Sequence, residues 1–197
     1  CQGYQEDPES GDEYVGEFIN DKPFGEGTRT INSGKYSGHK YVGEFKEGEV
    51  EGLGIYFSTG KIFHVGQFKN HKINGLGKMS SPGKYKYNGQ LEDNQKNGLG
   101  IYIWENLDGF VGVTYFGEWK DDDQHGQGTI IFPDGEKYVG QWINGWAEGK
   151  GVVSHPDGGK YVGEFKEGRW HGQGTYISAS GEIKKGIWEN GELVEPN

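Results

Sequence analysis

The sequence predicts an all-β fold, an elongated single-sheet solenoid of antiparallel β-hairpins with 23 residues per repeat. Three observations predict it: a short aromatic motif recurs seven times, a glycine pair follows each copy at a fixed distance, and 38 of the 197 residues are glycine. Glycine disfavours helices, because each one inside a helix costs about 1 kcal/mol relative to alanine. Aromatic residues form 14% of the chain and supply the predicted core.

The recurring motif is a tyrosine, any residue, a glycine, an acid or amide, and an aromatic residue. Five copies match it closely and two are looser, and they begin at Tyr14, Tyr41, His64, Tyr87, Tyr115, Tyr138 and Tyr161. The successive steps are 27, 23, 23, 28, 23 and 23 residues, so the unit is 23 residues long with insertions around Ser33 to Lys40 and Asn106 to Val113. Both insertions are predicted as edge loops.

Each repeat is predicted to fold as a β-hairpin. Side chains alternate along a strand, so the tyrosine, the glycine and the second aromatic residue of a motif share one face. A second strand such as Thr129 to Phe132 follows the glycine pair, and a polar turn such as Lys120 to His125 joins the two strands. Pro133-Asp134-Gly135 is typical of a turn into the next repeat. The segment Lys184 to Trp188 is predicted as a terminal half-repeat cap.

The motifs and their spacing resemble those of the MORN repeat family (membrane occupation and recognition nexus) from about Tyr14 to Glu192. The departures are His64, Leu91 and Lys184. MORN arrays are associated with scaffolding, dimerisation and the docking of helical segments along a groove. The resemblance therefore implies a protein-binding scaffold or an accessory subunit of a larger assembly, with a homodimer as one form of it. Residues 14–197 are predicted as the repeat array and residues 1–13 as a flexible polar tether.

The aromatic face is predicted to be either a partner-binding groove or a thin packed core, and the sequence leaves both open. Tyrosine and tryptophan are frequent anchors of protein interfaces, which favours the groove. Packing between neighbouring repeats accounts for the same residues equally well. The candidate groove residues are Tyr41, Phe45, Phe68, Tyr87, Tyr115, Trp119, Tyr138, Trp142, Tyr161 and Phe165.

Charge excludes one class of partner and indicates another. The net charge of -10 argues against nucleic acid, whose phosphates require a basic surface. The segment from Gly52 to Leu91 contains no acidic residue but six lysines: Lys61, Lys69, Lys72, Lys78, Lys84 and Lys86. This lysine window is either a patch for an anionic lipid surface or acidic partner, or a set of solvated lysines that share no face.

The first residue, Cys1, resembles the lipidated cysteine that begins a mature bacterial lipoprotein. This predicts a lipid anchor at Cys1 and a location at the membrane, in the bacterial periplasm or at the cell surface. The alternative is a fragment that begins at Cys1 by chance, in which case the chain is expected to be cytoplasmic and membrane-associated.

No catalytic residue, metal site or cofactor is predicted, and the chain is not expected to be an enzyme. The six histidines lack metal-ligand spacing, and Asp121-Asp122-Asp123 lacks the spaced ligands of a calcium loop. A regular sheet also offers no deep, enclosed cavity.

Overall fold

The computed structural model describes residues 1–59, 63–106 and 111–197. It forms two compact units, Cys1–Gln95 and Lys96–Asn197, each built of antiparallel β-hairpins. The predicted fold class is therefore confirmed. The described residues contain no α-helix long and apolar enough to span a bilayer.

Each unit is a run of strands in chain order, and the strand β9 starts one residue before the second unit. The first unit contains β1 (Gln2–Glu6), β2 (Glu13–Ile19), β3 (Lys22–Ile31), a 3-10 turn (Gly34–Tyr36), β4 (His39–Lys46), β5 (Glu49–Phe57), β6 (Phe63–Lys69), β7 (Lys72–Ser81) and β8 (Tyr85–Glu92). The second contains β9 (Gln95–Trp104), β10 (Val113–Lys120), β11 (Asp123–Ile131), β12 (Lys137–Ile143), β13 (Trp146–Ser154), β14 (Lys160–Lys166), β15 (Arg169–Ile177), β16 (Ile183–Glu189) and β17 (Glu192–Pro196).

Glycines lie opposite one another across successive strands of each unit, in rows that we call the glycine columns. The column of the first unit consists of Gly3, Gly16, Gly27, Gly43, Gly54, Gly66, Gly77 and Gly89. That of the second consists of Gly100, Gly117, Gly128, Gly140, Gly151, Gly163, Gly174 and Gly186. The constant spacing of glycines in the sequence is thus the register of the sheet.

A β-bulge interrupts each hairpin just after the motif glycine. In the repeat that begins at Tyr115, the register shifts between Gly117 and Glu118, and Gly126 adopts a φ of 57°. The Glu118 carboxylate accepts a hydrogen bond from the backbone N–H of Gln127 at 2.8 Å. The motif acid therefore satisfies a donor that the bulge removes from the ladder, and an amide at this position does the same.

Two-residue turns with positive φ close the hairpins, as type I′ turns require. The turns are Asn20–Asp21, Glu47–Gly48, Asn70–His71, Asp93–Asn94, Asp121–Asp122, Asn144–Gly145, Glu167–Gly168 and Asn190–Gly191. The acidic triplet beginning at Asp121 therefore supplies both residues of one turn. The Asp122 carboxylate lies 2.8 Å from Lys96 Nζ and also accepts the Lys96 N–H. These contacts tie the turn to the preceding repeat.

Both ends of the chain differ from their predicted structure. Gln2–Glu6, expected in a flexible tether, forms β1 and pairs with β2, with Gly3 opposite Gly16 as in a regular repeat. The prediction was wrong for these residues because the single glycine, Gly3, is enough to fit the register. The predicted half-repeat cap is followed by β17, which pairs with β16 and completes a hairpin.

Candidate functional site

The ten aromatic residues predicted to line a groove form the packed core of the two units. Each has at most 7% of its surface exposed, so the packed-core interpretation holds and the open groove does not. Tyr115 shows why: its ring lies edge-on to Trp119 and Trp142, with centroids 5.0 and 5.2 Å apart. Aromatic residues of neighbouring repeats thus interlock, which leaves no aromatic face open for a partner.

The motif tyrosines lie over the glycine columns and reach back to their own strands. The hydroxyl of Tyr115 donates to the carbonyl of Glu118 at 2.9 Å, and Tyr138 and Tyr161 repeat the contact three residues further along their own motifs. This bond satisfies a carbonyl beside the bulge. Burial raises the pKa of Tyr41 and of Tyr161 to about 12 and raises the pKa of Tyr115 and Tyr138 as well.

These tyrosines predict steep alkaline unfolding. A pKa raised in the folded state means that the unfolded chain releases its protons first, so the stability is complete below about pH 10 and is lost as the pH rises towards the folded values near 12. Circular dichroism and tyrosinate absorbance, recorded together during an alkaline titration, should change in a single joint transition. Tyrosinate that forms near its usual pKa while the circular dichroism stays constant would contradict this prediction.

Trp142 is the buried exception to good hydrogen bonding within the described residues. Its indole Nε1 has no partner there, whereas Trp188 Nε1 donates to the carbonyl of Gly174 at 3.1 Å. We expect Trp142→Phe to be less destabilising than Trp188→Phe by about 1 kcal/mol, since only the second change removes a hydrogen bond. Phe165 occupies the same motif position, so the smaller ring suits the site. Urea unfolding of both variants measures the difference, and equal losses of stability would contradict it.

The outer face, opposite the tyrosines, carries a row of exposed apolar side chains that the sequence analysis missed. In the second unit, Phe116, Thr129, Val139, Val152 and Val162 lie opposite one another on successive strands. Phe116, Val139 and Val162 are each at least 40% exposed. The signal was present in the sequence, because the second residue of most motifs is apolar and must point away from the tyrosine face.

Shallow grooves follow the glycine columns on this outer face. One in the second unit has a volume of about 490 Å³, with Val139 and Val162 on one side and Gln127 and Glu164 on the other. One in the first unit has a volume of about 570 Å³ and is lined by Val15, Gly16 and Glu26, among others. Each groove therefore has one apolar wall, one polar wall and a floor of glycine backbone.

The lysine window is divided between two places in the first unit. Lys78 and Lys86 lie in β7 and β8, opposite Asn88 and Ser80 on the outer face. Lys69 and Lys72 face each other beside a hairpin turn, where Lys72 Nζ lies 2.8 Å from the Asp93 carboxylate. Lys84 lies in the turn before β8, and Lys61 lies outside the described residues.

The first insertion, Ser33 to Lys40, brings Tyr36 and His39 beside Tyr56 and His64. The Tyr36 and His39 rings are 5.5 Å apart, and His39 Nδ1 hydrogen-bonds the Tyr56 hydroxyl. A recess of about 660 Å³ lies against Tyr36, Tyr56 and His64, and burial lowers the pKa of His64. Of the second insertion, Asn106 to Val113, residues 107–110 lie outside the described part of the chain.

The remaining histidines make local contacts. His155 Nδ1 lies 2.9 Å from the Glu136 carboxylate, and His71 pairs with Glu49 beside a turn. Among the described residues, no group of three histidine, cysteine or acidic side chains is placed to hold a metal ion. Cys1 is exposed, and its backbone N–H and C=O both pair with Phe18.

The glycine columns, the bulged hairpins and the packed tyrosines define a repeat protein of the β-hairpin class. The family model of the MORN repeat matches residues 14–36, 41–62, 64–84, 87–108, 115–137, 138–160 and 161–183. The chain belongs to the MORN repeat family, as its motifs predicted.

Two solved structures have a similar fold. One is the SAS-4 (dCPAP) TCP domain of Drosophila melanogaster in complex with a proline-rich motif of Ana2 (dSTIL), with a TM-score of 0.45 and 13% identity over 82% of this chain and 83% of that chain. The other is a mutant of the TCP10 domain of Danio rerio CPAP, with a TM-score of 0.46 and 10% identity over 100% of this chain and 94% of that chain. Both likenesses concern the fold alone. Comparison with curated proteins gives no match.

Proposed function

We propose that this chain is a non-enzymatic, protein-binding scaffold or an accessory subunit of a larger assembly. The observation that carries the proposal is the row of exposed apolar side chains on the outer face of the repeats. Large apolar side chains that recur at one position and stay exposed are typical of surfaces that bind other proteins. The motif tyrosines are consumed by the core, so the outer face is the surface that remains for a partner.

The second unit offers a direct test of this role. Val139 and Val162 flank Val152 across three strands, and all three point outward. A Val139→Glu, Val162→Glu double variant, used as bait in an extract of the native source, should lose a stoichiometric protein partner that the wild-type chain retains. A Lys137→Glu, Lys160→Glu variant is the matched control at neighbouring exposed positions. Recovery of no stoichiometric partner by the wild-type chain would contradict the proposal.

A homodimer is one form that the assembly could take. Sedimentation of the purified wild-type chain determines whether the partner is a second copy. If it is, the same valine variant should sediment as a monomer, and the lysine control should stay dimeric.

The scaffold is further proposed to be tethered to a membrane through a lipidated Cys1, in the periplasm or at the cell surface of a bacterium. The exposed thiol supports this proposal. Because residues 2–6 pair with β2, such an anchor would hold the first hairpin close to the bilayer. Mass spectrometry of the native N-terminus tests it, and an unmodified or internal Cys1 would refute the anchor and leave the cytoplasmic alternative.

A second candidate function is direct binding of an anionic lipid surface through the lysine window. Lys78 and Lys86, both on the outer face of the first unit, favour it. Flotation with neutral and anionic vesicles, at low and high salt, tests this function. Binding that ignores both lipid charge and salt would exclude it.

A further inference from the structure

We propose that the outer face of β5 to β8 is a docking surface for an acidic protein segment that carries apolar side chains. The proposal rests on the scaffold function and specifies one surface and the chemistry of its partner. We call this surface the lysine–leucine face and define it as Leu53, Ile55, Val65, Leu76, Lys78 and Lys86.

Leucine stands at a position where the fold does not require an apolar residue. The middle residue of the glycine pair is Leu53 in β5 and Leu76 in β7, and these side chains are 60% and 71% exposed. The same position is Gln127, Lys150 or Gln173 in other repeats, so a polar residue serves the hairpin equally well. Two protruding leucines in adjacent repeats therefore call for a partner rather than a packing explanation.

The strand register brings the leucines and lysines onto one continuous face. Ile55 lies opposite Val65, and Val65 lies opposite Lys78 on the next strand. Leu76 and Lys78 are two residues apart on β7, so both point outward. Directly opposed side chains are separated by roughly 5 Å, a distance that one bound segment can bridge.

The charge of this face is one-sided. The acid of the motif is replaced by Gln67 and Gln90 in these repeats, and the chain has no acidic residue between Gly52 and Leu91. Lys72 points to a separate site, where Asp93 compensates its charge. Lys78 and Lys86 thus give the exposed leucines a positive surround, and the complementary ligand is acidic with apolar side chains of its own.

The surroundings of the face favour a narrow protein segment over a bilayer. Glu26 and Glu44 lie opposite each other on β3 and β4, next to the lysine–leucine face in the same unit. An anionic bilayer is an extended plane that would approach these carboxylates together with the lysines, and the chain as a whole has a net charge of -10. A peptide segment can cover the lysines alone.

Fluorescence anisotropy with the full chain tests the proposal. The probe is a fluorescein-labelled peptide of glutamate and serine that carries two leucines, and its matched control has lysine in place of glutamate. We expect the acidic probe to bind and the basic probe not to bind. Lys78→Glu, Lys86→Glu and Leu53→Ser, Leu76→Ser variants should each weaken binding about tenfold or more. The control variants Lys137→Glu, Lys160→Glu and Leu99→Ser should bind as the wild type does.

Three outcomes would overturn the inference: equal binding of both probes, no binding of the acidic probe, or unchanged binding by the lysine and leucine variants. Vesicles of phosphatidylserine and phosphatidylcholine are tested beside the probes. If vesicles bind and the lysine variant abolishes this while the acidic probe fails, the face is a lipid site and the inference is wrong. The scaffold function is judged separately, by the Val139→Glu, Val162→Glu variant, which leaves the lysine–leucine face intact.

Discussion

Gly128→Ala should destabilise the second unit by about 3 kcal/mol or more, which is the cost of overpacking a core site that cannot relax. A Cβ at this position would lie 2.3 Å from the hydroxyl of Tyr115 and 2.6 Å from its ring. Tyr115 is fully buried between Trp119 and Trp142, so its ring has no free space to enter. Relief requires the tyrosine to leave its site and lose its bond to the Glu118 carbonyl.

The matched control separates this clash from backbone strain. Gly158 has a φ of 94° and no atom within 4 Å of a Cβ, so Gly158→Ala should cost only the strain of about 1 to 2 kcal/mol. Tryptophan fluorescence is the natural probe of urea unfolding, because all six tryptophans lie in the second unit. A Gly128→Ala variant no less stable than Gly158→Ala would show that the tyrosine does not need the missing Cβ.

His64 and Ile73 should show strong compensation in a double variant. Ile73 is fully buried, and its Cδ1 lies 2.8 Å from where a Cβ of Gly77 would be. It thus fills the space that a tyrosine fills in other repeats. Ile73→Ala alone should cost about 3 to 4 kcal/mol as a cavity, and His64→Tyr alone about 1 to 3 kcal/mol as overpacking.

The combination His64→Tyr, Ile73→Ala should recover most of the lost stability, to within about 1 kcal/mol of the wild type. It recreates the pair formed by Tyr138 and Ala147, where the tyrosine lies over its glycine column and the alanine leaves room. Hydrogen exchange of the first unit measures all four proteins of the cycle. Simple addition of the two single losses would refute the idea that isoleucine replaces tyrosine here.

The sequence predicted the repeat length, the hairpins and the face shared by tyrosine and glycine, because these follow from spacing and strand alternation. It left open whether the aromatic face was a groove or a core. That choice depends on the angle at which rings such as Tyr115 and Trp142 meet across repeats, which a pattern does not contain. The same limit hid the role of the motif acid as an acceptor at the bulge.

The outer face was overlooked for a different reason. Val139 and Val162 have an apolar character that suits any β-strand, so their exposure emerges only once the tyrosine side is known to be the core. The lysine window was visible as a composition, but only the register shows that Lys78 shares a face with Val65 while Lys72 faces Asp93.

Within each unit, every strand pairing that the register describes joins neighbours in the chain, and this has a kinetic consequence. Contacts between sequence neighbours give a low contact order, and chains of low contact order close their loops cheaply and fold fast. Folding of a unit can therefore start in any hairpin and spread outward to both sides.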